Sequence, residues 1–204
     1  MAAGTAFSLL PSPFSRLPPP ASSPGFTRKN RSAIAHGRRY TDVMETRSAG
    51  RGRLLQRLER AWREFGDSYA GLSERELLEP GVTGAWSVRD IIAHVTWWEE
   101  EALAHLPTIL AGRRPPRYSE KFGGVNAFNA RMTEERRALP LAEVMRRRDE
   151  VHRRLIDFVG RAPDDQVGGD TRFRRRLRLD TYGHYPKHTR AIRRWREQRS
   201  APGA

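Results

Sequence analysis

The sequence predicts an all-α protein, a four-helix bundle carried behind an N-terminal extension. Three observations point there. After Met44 apolar residues recur at steps of three and four, no run alternates at period two long enough to make a strand, and turn residues divide the chain into four long helical stretches. Helices that each carry one apolar stripe bury it best against one another.

Residues 1–43 stand apart. They hold six prolines, at positions 11, 13, 18, 19, 20 and 24, and no acid before Asp42. Lacking apolar periodicity, this stretch is expected to be a disordered extension that adds nothing to a core. Its Arg- and Ser-rich, acid-poor composition also fits an organellar transit peptide, although the prolines spoil the amphipathic helix such peptides need. A third reading, initiation at Met44, is the one favoured. The folded domain is expected over residues 47–200.

Leu54, Leu58, Ala61, Trp62, Phe65 and Tyr69 mark a first helix over 49–70. "EPGVTGAW" then breaks the pattern with Pro80, Gly81 and Gly84. The tetrapeptide "SVRD", Ser87 to Asp90, resembles a capping box, a hydroxyl followed three residues later by an acid. The helix it opens carries Ile91, Val95, Trp98 and Ala102 on one stripe and runs to about Leu110. "GRRPPRYSEKFGG" is a loop. A third helical stretch begins at Val125, bends near Pro140 and continues to about Val159. "GRAPDDQVGGD" is again loop, and a last helix carries Tyr185, His188, Ile192 and Trp195 to about Arg199.

Composition narrows the chemistry. There is no cysteine among the 204 residues, so disulfides, thiolate nucleophiles, iron–sulfur clusters and cysteine-type zinc sites are excluded together. Any metal must be held by His, Asp or Glu. No apolar run approaches the roughly eighteen residues of a membrane span, so a soluble, cytoplasmic protein with no membrane partner is expected, organellar only if 1–43 is a genuine transit peptide. The formal net charge of +14 invites a nucleic-acid reading. Yet 35 of the 38 basic residues are Arg, spread along every segment and usually near an acid, which describes a solvated surface. No specific nucleic-acid partner is expected. The one dense cluster is "RFRRRLR", Arg172 to Arg178, which could meet an anionic partner.

The histidines separate by position. His94 lies on the buried stripe of the second helix, where a lone imidazole is ordinarily a satisfied core residue. His184 and His188 are one turn apart on the last helix and share a face. Facing helices of a bundle are where such folds build metal sites, and three neutral imidazoles match sites that leave one position open. His105 falls on the stripe of His94, but roughly 16 Å along the axis puts it outside one coordination sphere. Glu101, about 10 Å from His94 by the same rise, could act as a base, though a solvated acid in "WWEEE" is the plainer reading. His152 is expected at the core boundary and His36 in the extension. Tyr182, Tyr185, Trp97 and Trp98 are candidates to line a pocket.

Three stretches together resemble one family. "PGVTGAWSVRDIIAHVTWWEEEAL", "VNAFNARMTEERRALPLAEV" and "DTYGHYPKHTRAIRRW" are similar, in order and spacing, to the DinB-like superfamily and specifically its ClbS/DfsB branch. The likeness covers about residues 50–198. It implies a four-helix bundle whose His94, His184 and His188 form the superfamily's divalent-metal triad, for Zn, Ni, Mn or Fe. It also implies a metal that activates a water or a low-molecular-weight thiol, with Glu101, Tyr182 and Tyr185 as candidates to hold the other ring nitrogens and Trp97 and Trp98 against substrate.

Two residues depart from the branch. Lys187 stands where an acid usually precedes the last histidine, and a basic neighbour lowers the histidine's pKa and disfavours a bound cation. Pro186 lies between the paired histidines, harmless if the helix starts near Gly183 and the ring falls in its first turn.

The function expected is therefore that of a metal-dependent hydrolase or thiol transferase acting on a small reactive molecule, in detoxification or self-protection, as a monomer or homodimer. The alternatives are a small-molecule-binding bundle without turnover, and an RNA- or DNA-associated protein using Arg172–Arg178.

Overall fold

A computed structural model describes residues 28–200, with side chains from Ala49 onward. The chain divides into two compact units, residues 1–40 and 41–204, and the side chains discussed below belong to the second. The expected extension 1–43 falls mostly on residues outside those described. Among the described residues there are nine helices and no strand.

Four long elements make the bundle, α1 (Arg28–Tyr69), α3 (Val88–Leu110), α6 (Leu141–Arg161) and α9 (Tyr185–Ser200). The first begins well before the expected start at residue 49 and ends where Gly71 adopts a positive φ. Leu54, Leu58, Phe65 and Tyr69 enter the core from it, at the three- and four-residue steps read from the sequence. The capping box at Ser87 is present: its hydroxyl accepts from the Asp90 N–H, and the Asp90 carboxylate accepts from the Ser87 N–H.

α3 is the central helix. It packs on α6 and α8 (Arg172–Asp180) most extensively, and also on α2 (Glu74–Leu78), α5 (Val125–Arg136) and α9. Surrounded in this way, it does not bury one stripe. From Val88 to Glu99 every residue except Asp90 is buried. A helix buried all round belongs at the centre of the layers, and this placement decides which of its polar residues become functional.

Short helices α4 (Tyr118–Phe122) and α7 (Asp164–Val167) lie within expected loops, and α2 stands between α1 and the "EPGVTGAW" break. The third stretch is two helices, not one bent helix. α5 (Val125–Arg136) stops before Pro140, which stands at the N-cap of α6. Proline has no N–H to continue α5, but its fixed φ suits a helix start. The carbonyls left at the end of α5 are met by buried Arg89, whose guanidinium donates to Arg136 O at 2.8 Å, Arg137 O at 2.9 Å and also Leu139 O.

The fourth arm is divided. α8 (Arg172–Asp180), absent from the sequence expectation, is capped by Thr171, whose hydroxyl accepts from the Arg174 N–H. Residues 181–184 form a turn before α9, and Pro186 falls in the first turn of α9, as expected. Gly183 makes that turn possible. A Cβ there would lie 2.6 Å from the Arg178 carbonyl oxygen, too close for any other residue without a shift.

Candidate metal centre

The α8–α9 turn delivers His184 at its end, and α9 delivers His188 one turn later, both opposite His94 of central α3. The three imidazoles converge. His184 Nε2 lies 3.1 Å from His94 Nε2 and 2.9 Å from His188 Nε2, and one ligand atom from each ring lies within 4.8 Å of the others. Nitrogens bonded to one ion at about 2.0–2.1 Å stand about 3 Å apart, so the set could coordinate a divalent ion.

Electrostatics favours neutral rings. Burial, then the neighbouring histidines and Lys187, holds His94 far below the ordinary imidazole range. Burial and then Lys187 take His184 down to about 4, and burial, His184 and Lys187 take His188 to about 3. At neutral pH all three present lone pairs, the state a metal requires. Lys187 thus acts in the direction the sequence implies, yet burial is the larger cause.

Aromatic rings wall the triad. Trp97 and Trp86 have centroids 4.7 and 4.9 Å from His94, and Trp98 lies 5.9 Å from His184. Trp97, Trp98 and Phe128 form a small apolar cluster of their own, with Tyr118, Phe122 and Met132 packed on it. Trp97 and Trp98 therefore border the histidines, as buried walls.

The residues expected to hold the outer ring nitrogens do not reach them. Nδ1 of His94 and of His184 have no hydrogen-bond partner. Glu101 accepts from the Tyr118 hydroxyl at 2.5 Å and stands 3.6 Å from His105 Nδ1. Tyr182 lies under the guanidinium of Arg57, 5.2 Å from the ring centroid. Tyr185 donates instead to the fully buried Glu99.

That last contact belongs to a network the sequence reading missed. Glu99 is fully buried, and its Oε1 meets both the Tyr185 hydroxyl and His152 Nδ1, the latter at 2.8 Å. Trp62 of α1 stacks on His152 at 3.9 Å between centroids, 3° from parallel. Burial drives the Glu99 carboxyl upward, while His152 and Tyr185 pull it back toward the charged form. Three helices thus meet at one carboxylate, with α1 joined to them through Trp62, and Tyr185 ties the first turn of α9, between the two histidines, to α3 and α6. Glu99 could not be told from Glu100 and Glu101 in "WWEEE", because only the packing of α3 distinguishes them.

A family model, the DinB superfamily, matches residues 57–191. No curated protein matches the chain in sequence. A solved structure is similar in fold: the crystal structure of the colibactin self-resistance protein ClbS in complex with a dsDNA, at TM-score 0.62 and 15% identity, over 72% of this chain and 95% of that one. The expectation of no specific nucleic-acid partner is corrected by this likeness, since a protein of the same fold is crystallised with a DNA duplex. Dispersed arginines on a helical bundle do not argue against such a partner. Among the described residues no helix is long and apolar enough to cross a membrane.

Proposed function

Because this chain belongs to the DinB superfamily, we propose that it is a divalent-metal protein acting as a hydrolase or thiol transferase on a small reactive molecule. The observation that carries the reading is the convergence of three buried or half-buried, neutral imidazoles from α3, the α8–α9 turn and α9. His94, His184 and His188 would hold the ion, with Zn, Ni, Mn and Fe all compatible with imidazole donors. When bound, the ion supplies a Lewis acid that lowers the pKa of a water or a thiol toward neutrality.

The protein's part is positioning and exclusion. The Tyr185–Glu99–His152 network holds the first turn of α9, and with it His188 and the adjoining His184, against α3. Trp97 and Trp98 keep water from the rear of the triad. Trp86, beside His94, also lines a cavity of about 510 Å³ with Asn126, Asn129 and Thr133. Amide and hydroxyl groups there suit a small molecule that hydrogen bonds, one ring away from the imidazoles.

Metal content of the purified protein, by mass spectrometry, tests the reading. We expect about one divalent ion per chain, and a wild type without metal after incubation with each candidate ion would sink it. Consumption of an electrophilic epoxide probe, with and without added thiol, then separates hydrolase from transferase. A loaded protein that binds the probe without consuming it would be a binding bundle.

A further inference from the structure

Several arginines along α5 and α6 are answered by acids three or four residues away: Arg131 by Glu135, Arg137 by Glu134, Arg146 by Glu143 and Glu150, Arg153 by Asp157. These are solvated faces, and such pairs contribute little. On α8 the arginines are denser, and of these only Arg175 and Arg176 have a carboxylate partner among the described residues, Asp170 and Asp180. Five of the seven residues from Arg172 to Arg178 are arginine, with no acid among them.

A cavity of about 440 Å³ beside α8 is lined by Arg57, Arg174, Arg175, Arg178 and Tyr182, with Asp170 as its one carboxylate. Asp170 is taken by Arg175 at 2.9 Å. Arg57 lies over the Tyr182 ring, and among the described residues Arg57, Arg174 and Arg178 have no carboxylate partner. Several guanidiniums drawn to one cavity repel one another unless an anion joins them. The guanidinium fork matches phosphate oxygens, two at a time.

We propose that this cavity and the exposed ridge of α8 are a sequence-independent site for the phosphodiester backbone of a nucleic acid. The ridge decides for a polymer over a single phosphate. Arg172, Arg175 and Arg178 are exposed and three residues apart, so they extend roughly 9 Å along the helix. Arg175 also lines a second cavity, of about 560 Å³, on which Arg172 and Arg176 open. Arg176 is committed to Asp180 at 2.5 Å and Tyr118 at 2.7 Å, leaving the ridge and the first cavity to take the anion. One phosphate cannot reach both; a strand presenting a charge at every nucleotide can. The inference does not depend on the metal centre.

The test is fluorescence anisotropy of the full chain with a labelled mixed-sequence DNA duplex across a salt series. Arg174→Ala/Arg178→Ala should weaken binding at least about tenfold and lower the slope of log affinity against log salt by about two units. Arg137→Ala/Arg153→Ala, which removes two arginines answered by acids, should change the affinity less than about twofold. Equal loss in both pairs, or no duplex binding by the wild type, overturns the proposal. Inorganic phosphate should compete only as well as chloride of equal ionic strength; selective competition would make the site one for free phosphate and overturn the backbone assignment. Vesicles of anionic lipid that sediment the chain when duplex does not bind would overturn it likewise. Circular dichroism of both double variants checks that the fold is kept.

Discussion

His184 Nε2 and His188 Nε2 lie 2.9 Å apart with Pro186 between them in the chain. In the middle of a helix that proline would clash with the preceding turn at a cost of about 3 kcal/mol. Here α9 begins at Tyr185, so the ring falls where no helical N–H is needed. His184 belongs to the turn, His188 to the helix, and the change of backbone between them aims both rings at His94.

His188→Ala should abolish metal retention, leaving below about a tenth of an ion per chain. His94→Ala should do the same. His105→Ala should leave the content unchanged, because its ring faces Glu101 rather than the triad. Mass spectrometry of the three variants after dialysis decides; loss of metal in the His105 variant would contradict the site.

Metal affinity should stay nearly level from about pH 7.5 down to about pH 5. Ordinary imidazoles bind protons below about pH 6.5 and would compete, but His184 and His188 titrate at about 4 and about 3. The same depression has a stability consequence for the metal-free chain. Unfolded histidines take up protons first as pH falls from about 6.5, so these groups stabilise the fold above that pH and lose their contribution progressively down to about pH 3. Calorimetric titration at pH 7.5 and 5.5 tests the first point. A steep fall in affinity over that interval would show imidazoles that are charged in the free protein.

Tyr185→Phe should lower the unfolding free energy by about 1–3 kcal/mol in urea denaturation. The variant keeps the ring, which packs T-shaped on Trp62 at 5.5 Å, and removes the hydroxyl from a fully buried carboxylate. Metal affinity should fall with it, since the α9 turn loses its tether. A variant as stable as wild type would mean that Glu99 sits in the core as a neutral acid needing no donor.

Gly183→Ala should cost about 1–2 kcal/mol and reduce metal occupancy. Its Cβ would meet the Arg178 carbonyl oxygen at 2.6 Å and the Arg178 Cγ at 3.0 Å, forcing apart the turn that carries His184. Ala substitution at Gly66 of α1, where nothing lies within 4 Å of an added Cβ, is the control and should not destabilise. Equal behaviour of the two variants would show a turn loose enough to yield.

The sequence by itself determined the all-helical class, the start of α3 at Ser87 and the grouping of His94 with His184 and His188. Each rests on local information: a period of three to four, a capping pair three residues apart, and a likeness spread over three stretches. Tertiary structure alone decided the rest. α8 was not legible because its apolar stripe is only two residues long, Phe173 and Leu177, set among five arginines. Glu99 was not legible because central α3 is buried on nearly every side, so periodicity could not rank three successive acids. The guanidinium cavity required Arg57 of α1 to meet Arg174 and Arg178 of α8 across the fold. Burial in a multi-helix core and convergence of like charges are properties of packed surfaces, and no window along the chain contains them.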